Sequence, residues 1–346
     1  MSVALTRYRA LNALRCYTSY ALNRLGSAFP FLHLTPSTLH HSPLFVSVEP
    51  ASVCQLKCPE CPVGQGRNKR GKEKGERFMS HSVWQRVLSE VQETAHTIQF
   101  YFQGEPLLNK DLPQMIREAH EAGLYTIVST NAQAMTAEMA NALVQAGLDR
   151  IIISMDGLSD SSYKAYRVGG SLDKTKSALR FLRTAKDSLI NNNRQSPPLR
   201  GGREGFLTIE LQCLRLRTNE HEWAQFKREY RSLGADRLVF KTAQLSDYEN
   251  GHPLMPSDSR YSRYIQGSDG KYHRRRLRKG CFRVWSGCVI TTDGTVLPCC
   301  YDKAQQHTYG NIMTTPLREL FTSPRAQAFR QAAFHETPQI CQECWR

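Results

Sequence analysis

The chain has 346 residues, 40% hydrophobic and 22% charged, the balance of a globular protein with a sizeable core. Forty-six Lys and Arg against 31 Asp and Glu give a formal charge of +15, which favours anionic partners: a phosphorylated substrate, a nucleic acid or an anionic membrane. Eleven cysteines gathered at two places, with no secretory signal ahead of them, argue against a disulfide scaffold and predict metal binding in a reducing, cytoplasmic compartment.

Residues 1–43 form a first segment. The first 48 residues contain no Asp or Glu, and Arg7, Arg9, Arg15 and Arg24 are interleaved with Leu5, Tyr8, Leu11, Leu14, Tyr17, Leu22 and Leu25. This pattern predicts a basic amphipathic helix. It lacks the apolar run of a membrane span. Three uses fit it: contact with an anionic membrane, an organellar transit peptide, or packing against the rest of the protein.

From residue 44 strand-like and helix-like stretches alternate. Strands are expected at Leu44–Glu49, Thr97–Phe102, Leu124–Ser129, Arg150–Ser154, Phe206–Gln212 and Arg237–Phe240. Helices are expected at Ser82–Glu93, Leu112–Ala122, Ala137–Ala146, Leu172–Lys186 and Glu220–Leu233. The alternation predicts an α/β fold with a parallel barrel or partial barrel over 44–245. A basic loop at 64–77 and a Gly/Pro/Asn-rich excursion at 191–205 interrupt it. Residues 246–346 read as a smaller, cysteine-rich unit that begins with a polar stretch and a basic run at 271–279.

The chemistry is concentrated at Cys54, Cys58 and Cys61, a C-x3-C-x2-C run that follows the first strand. A cubane iron–sulfur cluster takes four thiolates, so three leave one iron open. The loop leaves the C-terminal end of a strand, where α/β barrels place their sites. A zinc knot with His81 as fourth ligand is the alternative.

The triad resembles that of the radical S-adenosylmethionine (SAM) superfamily, whose partial (β/α)6 TIM-like barrel agrees with the strand count. The resemblance implies a [4Fe–4S] cluster on Cys54, Cys58 and Cys61, with SAM chelated at the open iron and cleaved to a 5′-deoxyadenosyl radical. Gln103-Gly104-Glu105-Pro106 is similar to the family's Gly-Gly-Glu-Pro motif, with Gln103 in place of the first glycine. Gly104 and Glu105 are then expected at the SAM amino group. Ser129, Asn131, Ser154 and Asp156, at the next two strand ends, are expected at its ribose and carboxylate, and Arg167 at its carboxylate. A low-potential donor such as flavodoxin or ferredoxin is implied as a partner.

The C-terminal cysteines are Cys281, Cys288, Cys299, Cys300, Cys341 and Cys344. With Asp293-Gly294-Thr295-Val296-Leu297-Pro298-Cys299 and Gly310-Asn311 between them, they resemble the SPASM and twitch extensions of radical SAM enzymes. One auxiliary [4Fe–4S] cluster on Cys281, Cys299, Cys341 and Cys344 is implied. Cys300 remains an alternative to Cys299, because neighbouring side chains of an extended segment point opposite ways. Zinc fits this spacing nearly as well. Cys16, Cys213, Cys288 and, if it is not the ligand, Cys300 read as buried small hydrophobes, with Cys213 also a candidate hydrogen-atom relay if it faces the cavity. The substrate is open between a small molecule and a peptide or protein; with no separate peptide-recognition domain visible, the balance tips towards a small-molecule, lipid-linked or unmodified-protein substrate. The rival class is a non-catalytic zinc or iron–sulfur protein that binds nucleic acid, and it predicts steep salt dependence.

Overall fold

The computed structural model describes residues 6–28, 41–67, 77–193, 207–275, 280–342 and 344. The centre of the basic loop at 64–77, most of the excursion at 191–205 and the end of the basic run at 271–279 lie outside them.

In chain order the first half gives α1 (Arg7–Ala28), β1 (Phe45–Val48), α2 (His81–Val91), β2 (Thr97–Phe100), α3 (Leu112–Glu121), β3 (Tyr125–Thr130), α4 (Ala137–Gln145) and β4 (Arg150–Ser154). Then follow α5 (Asp160–Tyr166), α6 (Leu172–Asn193), β5 (Thr208–Arg215), α7 (Trp223–Glu229) and β6 (Arg237–Thr242). Local chemistry sets the boundaries. The Ser80 hydroxyl accepts from Val83 N at 3.3 Å and starts α2, and Thr136 and Ser159 cap α4 and α5 likewise. On α2, Val83, Trp84, Val87, Leu88 and Val91 share one face and are all buried.

Strands β1 to β6 pair in parallel, each with the next, as the alternation predicts. Helices cover the sheet, so a central strand such as β4 is buried along Ile151–Ser154 without alternation. The predicted helix at 220–233 is divided. A 3-10 turn, Arg217–Glu222, precedes α7 because the Asn219 carboxamide holds Leu216 N at 3.1 Å and reaches Asp156 O at 2.9 Å.

The cysteine-rich unit does not stand apart from the barrel. After the hairpin β7 (Tyr264–Gln266) and β8 (Tyr272–Arg274) come α8 (Phe282–Ser286), β9 (Gly287–Ile290), β10 (Thr295–Leu297) and β11 (Gly310–Asn311). β9 pairs in parallel with β1, from Phe45↔Gly287 to Val48↔Ile290, and β10 and β11 continue antiparallel. The result is one nine-stranded sheet, β11-β10-β9-β1-β2-β3-β4-β5-β6, open between its ends. Gly287 permits the join, since a Cβ there would lie 2.6 Å from Phe45 O. These added strands are two to four residues long, too short for a periodic signal.

Helix α1 packs on the barrel, and it does so through its polar side: Arg9, Asn12, Cys16, Ser19 and Asn23 are buried. Helices α9 (Leu317–Thr322) and α10 (Pro324–His335) complete the extension, where Phe334 meets Trp285 at 5.2 Å between ring centroids.

Candidate active site

The three cysteines lie in the loop after β1, beyond Pro50. Cys61 N donates to Cys58 O at 3.1 Å, which turns the loop on itself. The end of β2 is pressed against it: Glu105 N donates to Val53 O at 2.8 Å, and a Cβ on residue 104 would fall 2.0 Å from Ala51 O. Gly104 is therefore where two backbones touch, a role the motif alone did not disclose.

Glu105, expected to face a ligand ammonium, is 2% exposed and binds inward. Its carboxylate accepts from Leu107 N at 3.1 Å, Thr130 Oγ1 at 2.5 Å and Asn131 N at 2.8 Å, so it ties the β2 turn to the end of β3. Burial raises its pKa against the pull of these donors. Asn131, placed by that tie, donates from Nδ2 to Cys54 Sγ at 3.4 Å and accepts from Gln55 Nε2 at 3.3 Å. Ser129 and Ser154 stand at the C-terminal ends of β3 and β4, half-buried and buried.

Asp156 is fully buried past β4. Its Oδ1 accepts from Leu214 N at 2.6 Å and its Oδ2 from Arg167 Nε at 2.6 Å. Arg167 caps the C-terminus of α5 and reaches Cys58 Sγ with Nη1 at 4.0 Å. At the other end of α5, Glu222 accepts from Leu158 N, Ser159 N and the hydroxyls of Ser159 and Ser162. The arginine is thus no surface residue. Asp156, expected at the ligand, holds this arginine in place.

Cys54 is pushed up to about 11 by burial, and Cys58 is raised by burial with Arg167 opposing. Thiols held neutral by burial, beside one cation and one amide donor, are suited to ligating a metal centre that takes their protons' place. No three His, Cys, Asp or Glu side chains among the described residues converge on one metal-ion position. A cubane does not need that, because each thiolate binds its own iron. His81 opens α2 on the exposed surface.

The second cysteine group forms a cavity of about 330 Å³ lined by Cys281, Cys299, Cys300, Cys341 and Cys344. The predicted four come together and Cys300 joins them. Residues 299 and 300 lie in a bend after β10, not in an extended strand, so alternation does not turn one away. Burial raises Cys299 strongly, while Arg283 Nη1 stands 3.9 Å from Cys300 Sγ. A single zinc ion draws four sulfurs to about 2.3 Å and needs no such volume. The donor set and the space fit a cluster. Cys16, Cys213 and Cys288 are buried structural thiols. Cys213 donates to Leu214 O at 3.3 Å within the core and lines neither cavity, so the relay role lapses.

A larger cavity of about 800 Å³ opens between the cysteine loop, the strand ends and the extension. Glu60 and Pro62, beside Cys61, form one wall, and Tyr301 and Ile340, which also line the cysteine cavity, form another. Glu60 was missed although it lies inside the Cys-Pro-Glu-Cys run. Its carboxylate accepts from Ser246 N and Oγ, both at 2.7 Å, and clips the loop to the chain after β6. Gln103, the departure from the family motif, donates from Nε2 to Lys303 O at 2.9 Å and joins the barrel to the extension.

An open parallel half-barrel with a thiol triad at its strand ends, extended by a second thiol-lined cavity, is the architecture of a SAM-dependent iron–sulfur protein. Residues 48–191 match the radical SAM superfamily, and residues 281–345 match SPASM, an iron–sulfur cluster-binding domain. The PqqA peptide cyclase of Bradyrhizobium diazoefficiens is 29% identical over 218 residues, 62% of this chain and 51% of the relative. The chain is thus matched to about half the length of that relative. The PqqA peptide cyclase of Rhizobium meliloti is 24% identical over 325 residues, 88% of this chain and 80% of the relative. Among solved structures, SuiB of Streptococcus suis bound to its precursor peptide SuiA is 14% identical with a TM-score of 0.59, covering 84% of this chain and 67% of that one. BtrN in complex with AdoMet and 2-DOIA is 17% identical with a TM-score of 0.51, covering 87% and 92%. At these identities the structures speak for the fold. The radical SAM match implies SAM and a [4Fe–4S] cluster, and the SPASM match implies auxiliary iron–sulfur binding.

Proposed function

We propose that the protein cleaves SAM reductively and uses the radical to modify a peptide. The observation that carries this reading is the shared cavity. One space of about 800 Å³ touches the loop of the first cysteine group and, through Tyr301 and Ile340, the wall of the second. A substrate there lies between the two sites.

Bound to Cys54, Cys58 and Cys61, a [4Fe–4S] cluster would supply the electron that splits the SAM sulfonium and releases the radical. The chain's own residues do the positioning. Asn131 and Arg167 hold the sulfurs of Cys54 and Cys58 by 3.4 and 4.0 Å contacts. Arg167, clamped by Asp156, presents its fork to the SAM carboxylate. With Glu105 engaged inward, the backbone carbonyls of the 103–105 turn are the acceptors we assign to the SAM ammonium, and Ser129 and Ser154 the partners of its ribose. Cys281, Cys341, Cys344 and one or both of Cys299 and Cys300 hold the auxiliary cluster. A flavodoxin- or ferredoxin-type donor supplies electrons.

Five glutamines, at 103, 244, 305, 306 and 339, line the cavity. Carboxamides carry both donor and acceptor, as peptide groups do, and this supports a peptide over a lipid chain. The names of the curated relatives support the same class.

The test is anaerobic. Reconstituted protein with dithionite and SAM should yield 5′-deoxyadenosine, and a peptide substrate should raise the yield. Zinc in place of iron, no SAM cleavage, and polyanion binding that falls steeply with salt would favour the non-catalytic nucleic-acid-binding alternative.

A further inference from the structure

Helix α1 is docked inside out. The residues it buries, Arg9, Asn12, Cys16, Ser19 and Asn23, are mostly polar. They are recognised in detail. Arg9 donates to Gly123 O at 2.7 Å and Ala122 O at 2.6 Å, and also to Gln92 O, carbonyls at the ends of α2 and α3 where a cation is favoured. Asn12 exchanges hydrogen bonds with Ser42 at 3.1 and 2.8 Å and donates to Thr94 O at 3.0 Å. Trp285 Nε1 donates to Ser19 Oγ at 2.7 Å.

The opposite face carries the apolar side chains. Leu11, Leu14 and Leu25 are 45%, 64% and 47% exposed there, with Tyr8 and Tyr17 exposed on its flanks. Arg7, Arg15 and Arg24 are exposed on the same helix, which has no acidic residue. A leucine left in water forgoes the gain from burial. The helix therefore has a fixed orientation that shows leucines and arginines outward together, the composition of an in-plane interfacial helix.

We propose that the outer face of α1 docks this protein on an anionic lipid surface, leucines 11, 14 and 25 entering the acyl boundary and the arginines meeting lipid phosphates. Charge selects this occupant. A two-fold copy of the face would bring arginines together with no acidic residue on the helix to match them. A zwitterionic lipid compensates its phosphate with its own cation and offers the arginines no net counter-charge. No described helix is long and apolar enough to cross the membrane, so the contact is peripheral. Arg9 grips the chain just before β2 and β3 begin, whereas the cysteine loop lies where strands end. Docking through α1 therefore leaves the barrel mouth facing water, where a soluble peptide can enter. The proposal is independent of SAM chemistry.

The test is vesicle flotation of the full chain, compared between phosphatidylcholine alone and phosphatidylcholine with phosphatidylglycerol. The expected result is flotation only with the anionic lipid, weakened at least tenfold by L11E/L14E and, separately, by R7E/R15E. All four positions are exposed, and thermal melts matching the wild type will show that the variants fold. Flotation that ignores lipid charge, survives both double variants, or does not occur at all overturns the proposal. So does a dimer in light scattering that L11E/L14E dissolves, which would assign the face to a second copy.

Discussion

Arg167 donates from Nε to Asp156 Oδ2 at 2.6 Å, and the pair is buried, with side chains 15% and 0% exposed. This contact joins the end of β4 to the end of α5 and aims a second guanidinium nitrogen at Cys58. Asp156→Asn should cost about 3–5 kcal/mol of stability, because a buried guanidinium loses its counter-charge. Arg167→Lys should fold but bind SAM about tenfold or more weakly, the loss of one charge-assisted hydrogen bond of roughly 1.5–3 kcal/mol. Denaturant melts and equilibrium dialysis separate the two effects.

Alanine at Cys54, Cys58 and Cys61 together should lower iron from about eight to about four atoms per chain. The EPR signal that SAM perturbs should vanish, and the other should persist.

The auxiliary site gives a choice between neighbours. Cys299→Ala and Cys300→Ala, compared by iron content and EPR, should differ: the ligand's loss removes the auxiliary signal, and the other variant keeps it. Equal loss in both would assign both thiolates to the cluster.

Gly104→Ala should destabilise by about 3 kcal/mol or more, since its Cβ would stand 2.0 Å from Ala51 O and backbone must move. Soluble yield and cluster occupancy should fall together. Gln103→Gly, which restores the family motif, should leave SAM cleavage intact and alter peptide turnover through the lost tie to Lys303.

Glu222 carries a pH prediction. Burial works to raise its pKa, but hydrogen bonds from Leu158, Ser162 and Ser159 outweigh this and hold it below the ordinary value. A depressed carboxyl stabilises the fold above its unfolded pKa of about 4.3 and loses that contribution as pH falls through the folded value. Glu222→Gln should therefore be less stable by about 1–2 kcal/mol at pH 7. The gap to wild type should close below about pH 4. Urea midpoints at both pH values check it.

The run of helix and strand periods made β1 to β6 readable, because each strand is an apolar stretch and each helix has one buried face. Cys54, Cys58 and Cys61 were readable for a different reason: ligands in one short loop must be close in space. The same locality brought Cys341 and Cys344 together. The inward hydrogen bonds of Glu105 were hidden because its partners, Thr130 and Asn131, lie in another strand's end. A carboxylate looks the same in sequence whether it faces a ligand or a backbone amide. The hold of Asp156 on Arg167 was hidden likewise.

By itself the sequence determined the parallel half-barrel, the thiol triad after its first strand and the gathering of the C-terminal cysteines, all of which follow from local pattern or short spacing. Only the tertiary structure decided that β9 would pair with β1 and merge the extension into the barrel's sheet, since a four-residue strand carries no partner information. It also decided which face of α1 is buried. Composition shows that the helix has a polar and an apolar side, but three carbonyls at the ends of α2 and α3 chose the polar one by binding Arg9.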